Sequence, residues 1–311
     1  YQEIDGIKKE IPCAYVLHGN RVSFSLGDYD KSKGLIIDPT LVFSTFTGST
    51  ADNWGMSATY DAAGNGYTSG VCFGVGYPIT AGAFQATYGG GVINTTYTYG
   101  GFDMTVSKFN ATGTTLMYST YLGGTDNEAP MSIIVDNANN LIVLGRSYSN
   151  NYPVTAGAYD VSINGGADIV VTKFNGAGTA LLASTFVGGT QDDGVSISAV
   201  ETFLGSLKYN YADDGRSAVI LDNNDNVYVA SCTISNNFPV TAGCVQAANA
   251  GGQDACVFKL DPNLSTLMFS TYLGGSQNDA GNNLVIDANN DVYVTGGTES
   301  ANFPSTAGTI K

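Results

Sequence analysis

The chain has 311 residues, of which 40 are glycine and only 13% are charged, and a formal net charge of −15. Its length suffices for a substantial core, and its composition is that of a turn-dense β protein. The acidic balance argues against nucleic acid or an anionic membrane as a partner, since both require basic patches, and no run of about 18 apolar residues offers a membrane-spanning helix.

In chain order, residues 1–40 read as the end of a preceding β domain, with a hairpin over Tyr15–Phe24 turning at His18-Gly19-Asn20. From residue 41 onward three phrases recur. Ser-Thr-aromatic-x-Gly stands at Ser44, Ser119, Ser184 and Ser270. Aromatic-Pro-x-Thr-Ala-Gly begins at Tyr77, Tyr152, Phe238 and Phe303. Gly-x-Asp-x-x-Val-x-Lys-apolar begins at Gly101, Gly166 and Gly252. The 65-residue spacing from Ser119 to Ser184 returns from Asp103 to Asp168 and from Pro239 to Pro304. Longer intervals are explained by two insertions, near residues 86–100 and 196–216. Repetition at a constant period marks stacked or ringed units, here approximately 41–100, 101–165, 166–251 and 252–311.

Within the second unit, Asp103–Phe109 alternates as a strand, Asn110–Gly113 turns, and Thr115–Leu122 is a second strand. Gly123-Gly124 breaks it, Ser132–Val135 and Leu141–Gly145 are the third and fourth strands, and Asp136–Asn140 turns between them. No segment has a sustained helical period. Four short antiparallel strands per unit, repeated in tandem, predict an all-β fold of β-propeller blades, because one small sheet covers its faces only by packing on neighbours. The first-strand phrase occurs three times and the others four, so the ring is expected to be incomplete, in a processed or excised piece of a longer protein.

The strings Leu116–Gly124, Val292–Gly296 and Asn302–Gly308 resemble the bacterial SBBP β-propeller repeat, a likeness spanning about residues 41–311. Residues 1–40, chiefly Gly34–Pro39, resemble the end of the domain that often precedes such repeats in large secreted bacterial surface proteins, some exported by the type IX route. The resemblance implies an extracellular scaffold or adhesin-like role, and it hands over no catalytic residue.

Candidate chemistry is sparse. A lone histidine and the absence of any C-x-x-C pair argue against zinc. Asp126, Asp192, Asp193 and Asp279 stand in oxygen-rich turns and are the candidate calcium ligands, though Asx residues serve tight turns equally well. Cys232, Cys244 and Cys256 fall near one blade and are candidates for a disulfide, with small buried side chains as the competing reading. Lys108, Lys173 and Lys259 recur in one strand phase; buried ion pairs with repeated acids such as Asp136, Asp222 and Asp287 explain them better than an anion-binding ring. Tyr88, Tyr97, Tyr99, Tyr209 and Tyr211, on or beside the two insertions, are the candidate ligand-binding residues for protein or sugar. The second insertion, with Glu201, Lys208, Asp213, Asp214 and Arg216, is the sole place to look for catalysis.

The expected function is a non-catalytic extracellular structural or adhesive module, able to self-associate through an open sheet edge into a filament or polymer. A carbohydrate-binding propeller is the alternative, and a glycan-active enzyme ranks below both. No cofactor besides calcium is expected, and other chains of a surface assembly, or glycans, are the expected partners.

Overall fold

The computed structural model describes residues 1–18, 21–36, 41–91, 101–196 and 215–306. They contain strands, turns and bends but no helix. The chain divides into two compact units, Tyr1–Ser44 and Thr45–Lys311.

The first unit holds two antiparallel hairpins. β1 (Gln2–Ile4) pairs with β2 (Ile7–Lys9), and β3 (Cys13–His18) with β4 (Arg21–Leu26). Asp5 and Gly6 both take left-handed angles (φ 53° and 76°), the geometry that closes a two-residue hairpin without splaying its strands. His18 lies at the end of β3 opposite Arg21, so the hairpin connection itself is outside the described residues. Buried Gln2 ties the hairpin to the following segment, donating to Asp30 O at 2.7 Å and accepting from Asp30 N at 2.8 Å.

The second unit is a series of up-and-down antiparallel sheets. β5 (Asn53–Tyr60), β6 (Gly66–Cys72), β7 (Asp103–Phe109) and β8 (Leu116–Leu122) form the first. β9 (Glu128–Val135), β10 (Leu141–Ser147), β11 (Asp168–Phe174) and β12 (Leu181–Val187) form the second. β13 (Ala218–Leu221), β14 (Val227–Thr233), β15 (Asp254–Leu260) and β16 (Leu267–Leu273) form the third. β17 (Asp279–Ile286) and β18 (Val292–Thr298) make a two-stranded fourth. The opening strands meet in sequence, β5 on β9, β9 on β13 and β13 on β17, as propeller blades meet at their axis.

Both faces of the middle strands are buried, so their apolar residues run continuously instead of alternating. In β10, Leu141 and Val143 join a core with Met104 and Phe174, whereas Ile142 and Leu144 join another with Val229 and Phe258. A third, smaller core joins Tyr228 and Ala230 to Leu284. Each closes the gap between successive sheets, which is how blades too small to hold a core alone become stable.

The sheets are out of phase with the sequence units by two strands. The unit at 101–165 lends its first two strands, β7 and β8, to one sheet and its last two, β9 and β10, to the next. The Gly-Gly break after β8 is therefore a step between sheets, not a hairpin. The first copy of the Ser-Thr phrase, at Ser44, forms no strand; residues 41–52 are irregular, with Phe46 95% exposed. In later units this phrase is laddered against a Gly-x-Asp strand, as β8 is against β7, and no such phrase precedes Ser44.

Candidate functional site

Each recurring polar residue is anchored within the sheets. The turn between the first two strands of a sheet begins with an aspartate: Asp61, Asp136, Asp222 and Asp287. Its Oδ1 accepts the N–H groups two and four residues on, at 3.0 and 2.9 Å for Asp61 and 2.8 and 2.9 Å for Asp287. The fourth turn residue then adopts a left-handed angle, in Gly64, Asn139, Asp225 and Asn290, residue types that tolerate it.

The other carboxylate oxygen receives the recurring lysine from the third strand. Lys108 Nζ lies 3.2 Å from Asp61, Lys173 Nζ 2.8 Å from Asp136, and Lys259 Nζ 3.2 Å from Asp222. Lys108 and Lys259 also stand 4.6 Å over the rings of Tyr67 and Tyr228, the residues directly opposite them in the ladder. An asparagine amide, from Asn65, Asn140 or Asn226, completes each acceptor at 2.8–3.0 Å. Burial raises the pKa of these aspartates, but the hydrogen bonds outweigh it and hold Asp61 and Asp222 down at about 2.

Asp287 is the exception. No lysine stands beside it among the described residues, the asparagine is replaced by Asp291, and the Tyr293 hydroxyl approaches only to 3.5 Å. On β18 no strand among the described residues pairs with the edge away from β17. Tyr293 is 56% exposed, against 0% for Tyr67 and 3% for Tyr228.

The Ser-Thr and aromatic-Pro phrases bind each other. Ser119 N donates to Thr80 Oγ1 at 2.9 Å, and the same bond recurs from Ser184 to Thr155 and from Ser270 to Thr241. The aromatic ring before the proline packs on the fourth strand, with Tyr77–Tyr121, Tyr152–Phe186 and Phe238–Tyr272 centroids 5.8–6.2 Å apart.

A second recurring polar group was not singled out from sequence. Where one sheet steps to the next, two buried acids converge: Asp103 with Glu128, Asp168 with Asp193, and Asp254 with Asp279, all fully buried. The loop ahead of the third strand donates N–H to the first acid, as from Gly89, Asn164 and Ala250. The Gly-Gly step donates to the second, from Gly124, Gly189 and Gly275 at 2.6–3.0 Å. Oδ1 of all five aspartates in these pairs has no hydrogen-bond partner. Burial raises the pKa of Asp103, Glu128 and Asp168 to about 7 and of Asp193 to about 6, and pushes that of Asp254 upward as well. Partners 25 residues apart leave no local signal, and only the Gly-Gly spacing points to the junction.

The sequence-derived candidates scatter. Asp193 and Asp279 belong to two different acid pairs. Asp192 Oδ1 accepts Ala167 N at 2.9 Å, and Asp126 Oδ1 accepts Asn127 N at 2.8 Å. No three His, Cys, Asp or Glu residues among those described are grouped to hold a metal. Of the three cysteines that were candidates either for a disulfide or for small buried side chains, Cys232 and Cys256 are buried free thiols and Cys244 is a partly exposed one. Cys232 is opposite Ala255 in the ladder and Cys256 opposite Ser231, so alternation sends the two side chains to opposite faces of the sheet. Tyr88 is half-buried and donates its hydroxyl to Gly101 O. Tyr97, Tyr99, Tyr209 and Tyr211 lie outside the described residues, as do Glu201, Lys208, Asp213 and Asp214.

At the axis, register shifts displace Met56, Met131 and Asn282 from the opening strands. With Gly215, Arg216 and Ser217 they line a cavity of about 200 Å³. Its lining among the described residues is a guanidinium, a hydroxyl, an amide and two thioethers.

In comparisons with known families, residues 1–40 match a domain of unknown function (DUF7948) and residues 269–304 match the SBBP β-propeller repeat. No curated protein matches the chain. The matched repeat runs from within β16 through β18, and the same strand order recurs in the sheets before it, so the chain is a β-propeller repeat module similar to the SBBP repeat.

Proposed function

We propose that the chain is a non-catalytic structural or adhesive module of a large extracellular bacterial protein, joined to other chains of a surface assembly. One observation carries this reading: the recurring lysines, hydroxyls and turn aspartates are engaged in holding the sheets together, copy after copy. The likeness of residues 1–40 to a domain that precedes such repeats in secreted proteins supports a place outside the cell. The net charge of −15 supports protein partners over nucleic acid.

Sedimentation velocity over a hundredfold range of concentration, with and without calcium, tests the assembly role. Species larger than the monomer that grow with concentration are expected. A monomer under every condition removes self-assembly.

A further inference from the structure

At the sheet steps the buried acids spend one oxygen on the protein and leave the other without a partner. Asp168 Oδ2 accepts Asn164 N at 2.9 Å, and Asp193 Oδ2 accepts Gly189 N at 2.6 Å and Ser235 Oγ at 3.0 Å. Asp254 Oδ2 accepts Ala250 N at 2.9 Å and the Gln246 amide at 2.6 Å, and Asp279 Oδ2 accepts Gly275 N and Ser300 Oγ, both at 2.7 Å. The Oδ1 atoms of all four aspartates are enclosed, on residues with no exposed surface, and no hydrogen bond reaches them. A glycine borders each pair. A Cβ on Gly188 would come within 2.5 Å of Asp168 Oδ1, and one on Gly274 within 2.5 Å of Asp254 Oδ1 and 2.9 Å of Asp279 Oδ2. The first step differs. Glu128 has both oxygens occupied, Oε1 by Ser147 Oγ at 2.6 Å and Oε2 by Gly124 N at 3.0 Å, so Asp103 Oδ1 alone lacks a partner there.

We infer that the Asp168–Asp193 and Asp254–Asp279 steps are two cation sites, each taking one calcium ion between successive sheets. A carboxylate oxygen shut away from water with nothing to bind is costly, and like charges held together add to the cost. A proton relieves one acid of a pair, whereas a divalent cation meets both free oxygens and cancels both charges. Calcium takes hard oxygen ligands in flexible geometry, which suits a step where the Ser235 or Ser300 hydroxyl and, at the last step, the Gln246 side chain stand beside the acids. Magnesium demands near-octahedral geometry and holds on to its waters, which suits an enclosed pair poorly. With two acids per site instead of a larger cluster, the affinity belongs with weak extracellular modules, a Kd of about 10⁻⁴ to 10⁻³ M. Each ion would tie a third strand to the start of the next sheet, since Asp168 opens β11, Asp193 bridges to Thr233 at the end of β14, Asp254 opens β15 and Asp279 opens β17. Of the four aspartates singled out from sequence as calcium ligands, Asp193 and Asp279 belong to these sites. The inference does not depend on how the chain assembles.

The test uses the full chain, stripped with EDTA and held at constant ionic strength. Equilibrium dialysis against radioactive calcium chloride at about 5 mM, above the Kd of such sites, should find two ions bound per chain. Differential scanning calorimetry should show a melting temperature several degrees higher in calcium than in EDTA, and a markedly smaller rise in magnesium chloride at the same concentration. Asp193→Asn and Asp279→Asn should each remove one bound ion and the two together both, whereas Glu128→Gln should leave two. Each asparagine relieves a buried like-charge pair and keeps an acceptor for the glycine N–H. These variants should therefore melt no lower than the unaltered chain in EDTA yet lower than it in calcium, a reversal that a merely structural defect would not produce. The comparison of calcium with magnesium on the unaltered chain stands even where a variant fails to fold. Absence of a calcium-specific rise there, or two ions still bound by the doubly changed chain, overturns the inference.

Discussion

Lys173 shows what the recurring lysine does. Its side chain is 13% exposed and that of Asp136 is 1% exposed, with 2.8 Å between the charged atoms. Removing one member of such a pair leaves the other charge buried alone, so Lys173→Met should lower unfolding free energy by about 3 kcal/mol, read from urea denaturation. Adding Asp136→Asn should recover part of that loss. The acid pairs at the sheet steps act in the opposite direction. Asp103, Glu128 and Asp168 titrate near pH 7 in the fold, against 3.8 to 4.5 ordinarily, so the folded chain holds more protons than the unfolded one across that window. Their stability is full below about pH 4 and is lost as pH rises through 7. Asp61 and Asp222, held at about 2, contribute above their ordinary 3.8 and lose that contribution as pH falls through 2. The melting temperature should therefore peak between about pH 4 and 5 and decline toward 7. Asp168→Asn should flatten the decline, as differential scanning calorimetry across pH would show. The glycines at these steps are steric requirements. A methyl group on Gly188 would overlap the Asp168 carboxyl group, so Gly188→Ala should destabilise the chain without any change of charge.

At the scale of elements, strand positions and turn chemistry were legible because alternation, Gly-Gly breaks and Asx turns are local signals. The grouping of strands was not. A period of 65 residues fixes the interval between copies but not where one sheet ends, and the step after β8 is as glycine-rich as a hairpin turn. The acid pairs were hidden for a related reason, since Asp168 read as part of a strand phrase and Asp193 as part of a turn. Only the closeness of successive sheets makes them neighbours. The phase has a measurable consequence. A fragment of residues 50–190, holding two whole sheets, should unfold cooperatively in urea. A fragment of residues 101–251, cut at the sequence-unit boundaries, starts and ends in half sheets and should unfold at lower urea with a shallower transition.

For the whole molecule, the fold class followed from repetition together with the strand alternation inside each unit. The binding candidates rest on a different kind of signal. Tyrosines in insertions carry no periodic constraint, and Tyr88, the described one, turns inward to Gly101. The offset between repeat and sheet also bears on how such a chain carries load. Each repeat is stitched into two neighbouring sheets, so tension along the backbone passes from sheet to sheet. Under a steadily increasing pull in an atomic force microscope, the two-stranded sheets should give way first and at the smallest forces, each having fewer ladder bonds than a complete sheet. The complete sheets should follow as separate, larger rupture events.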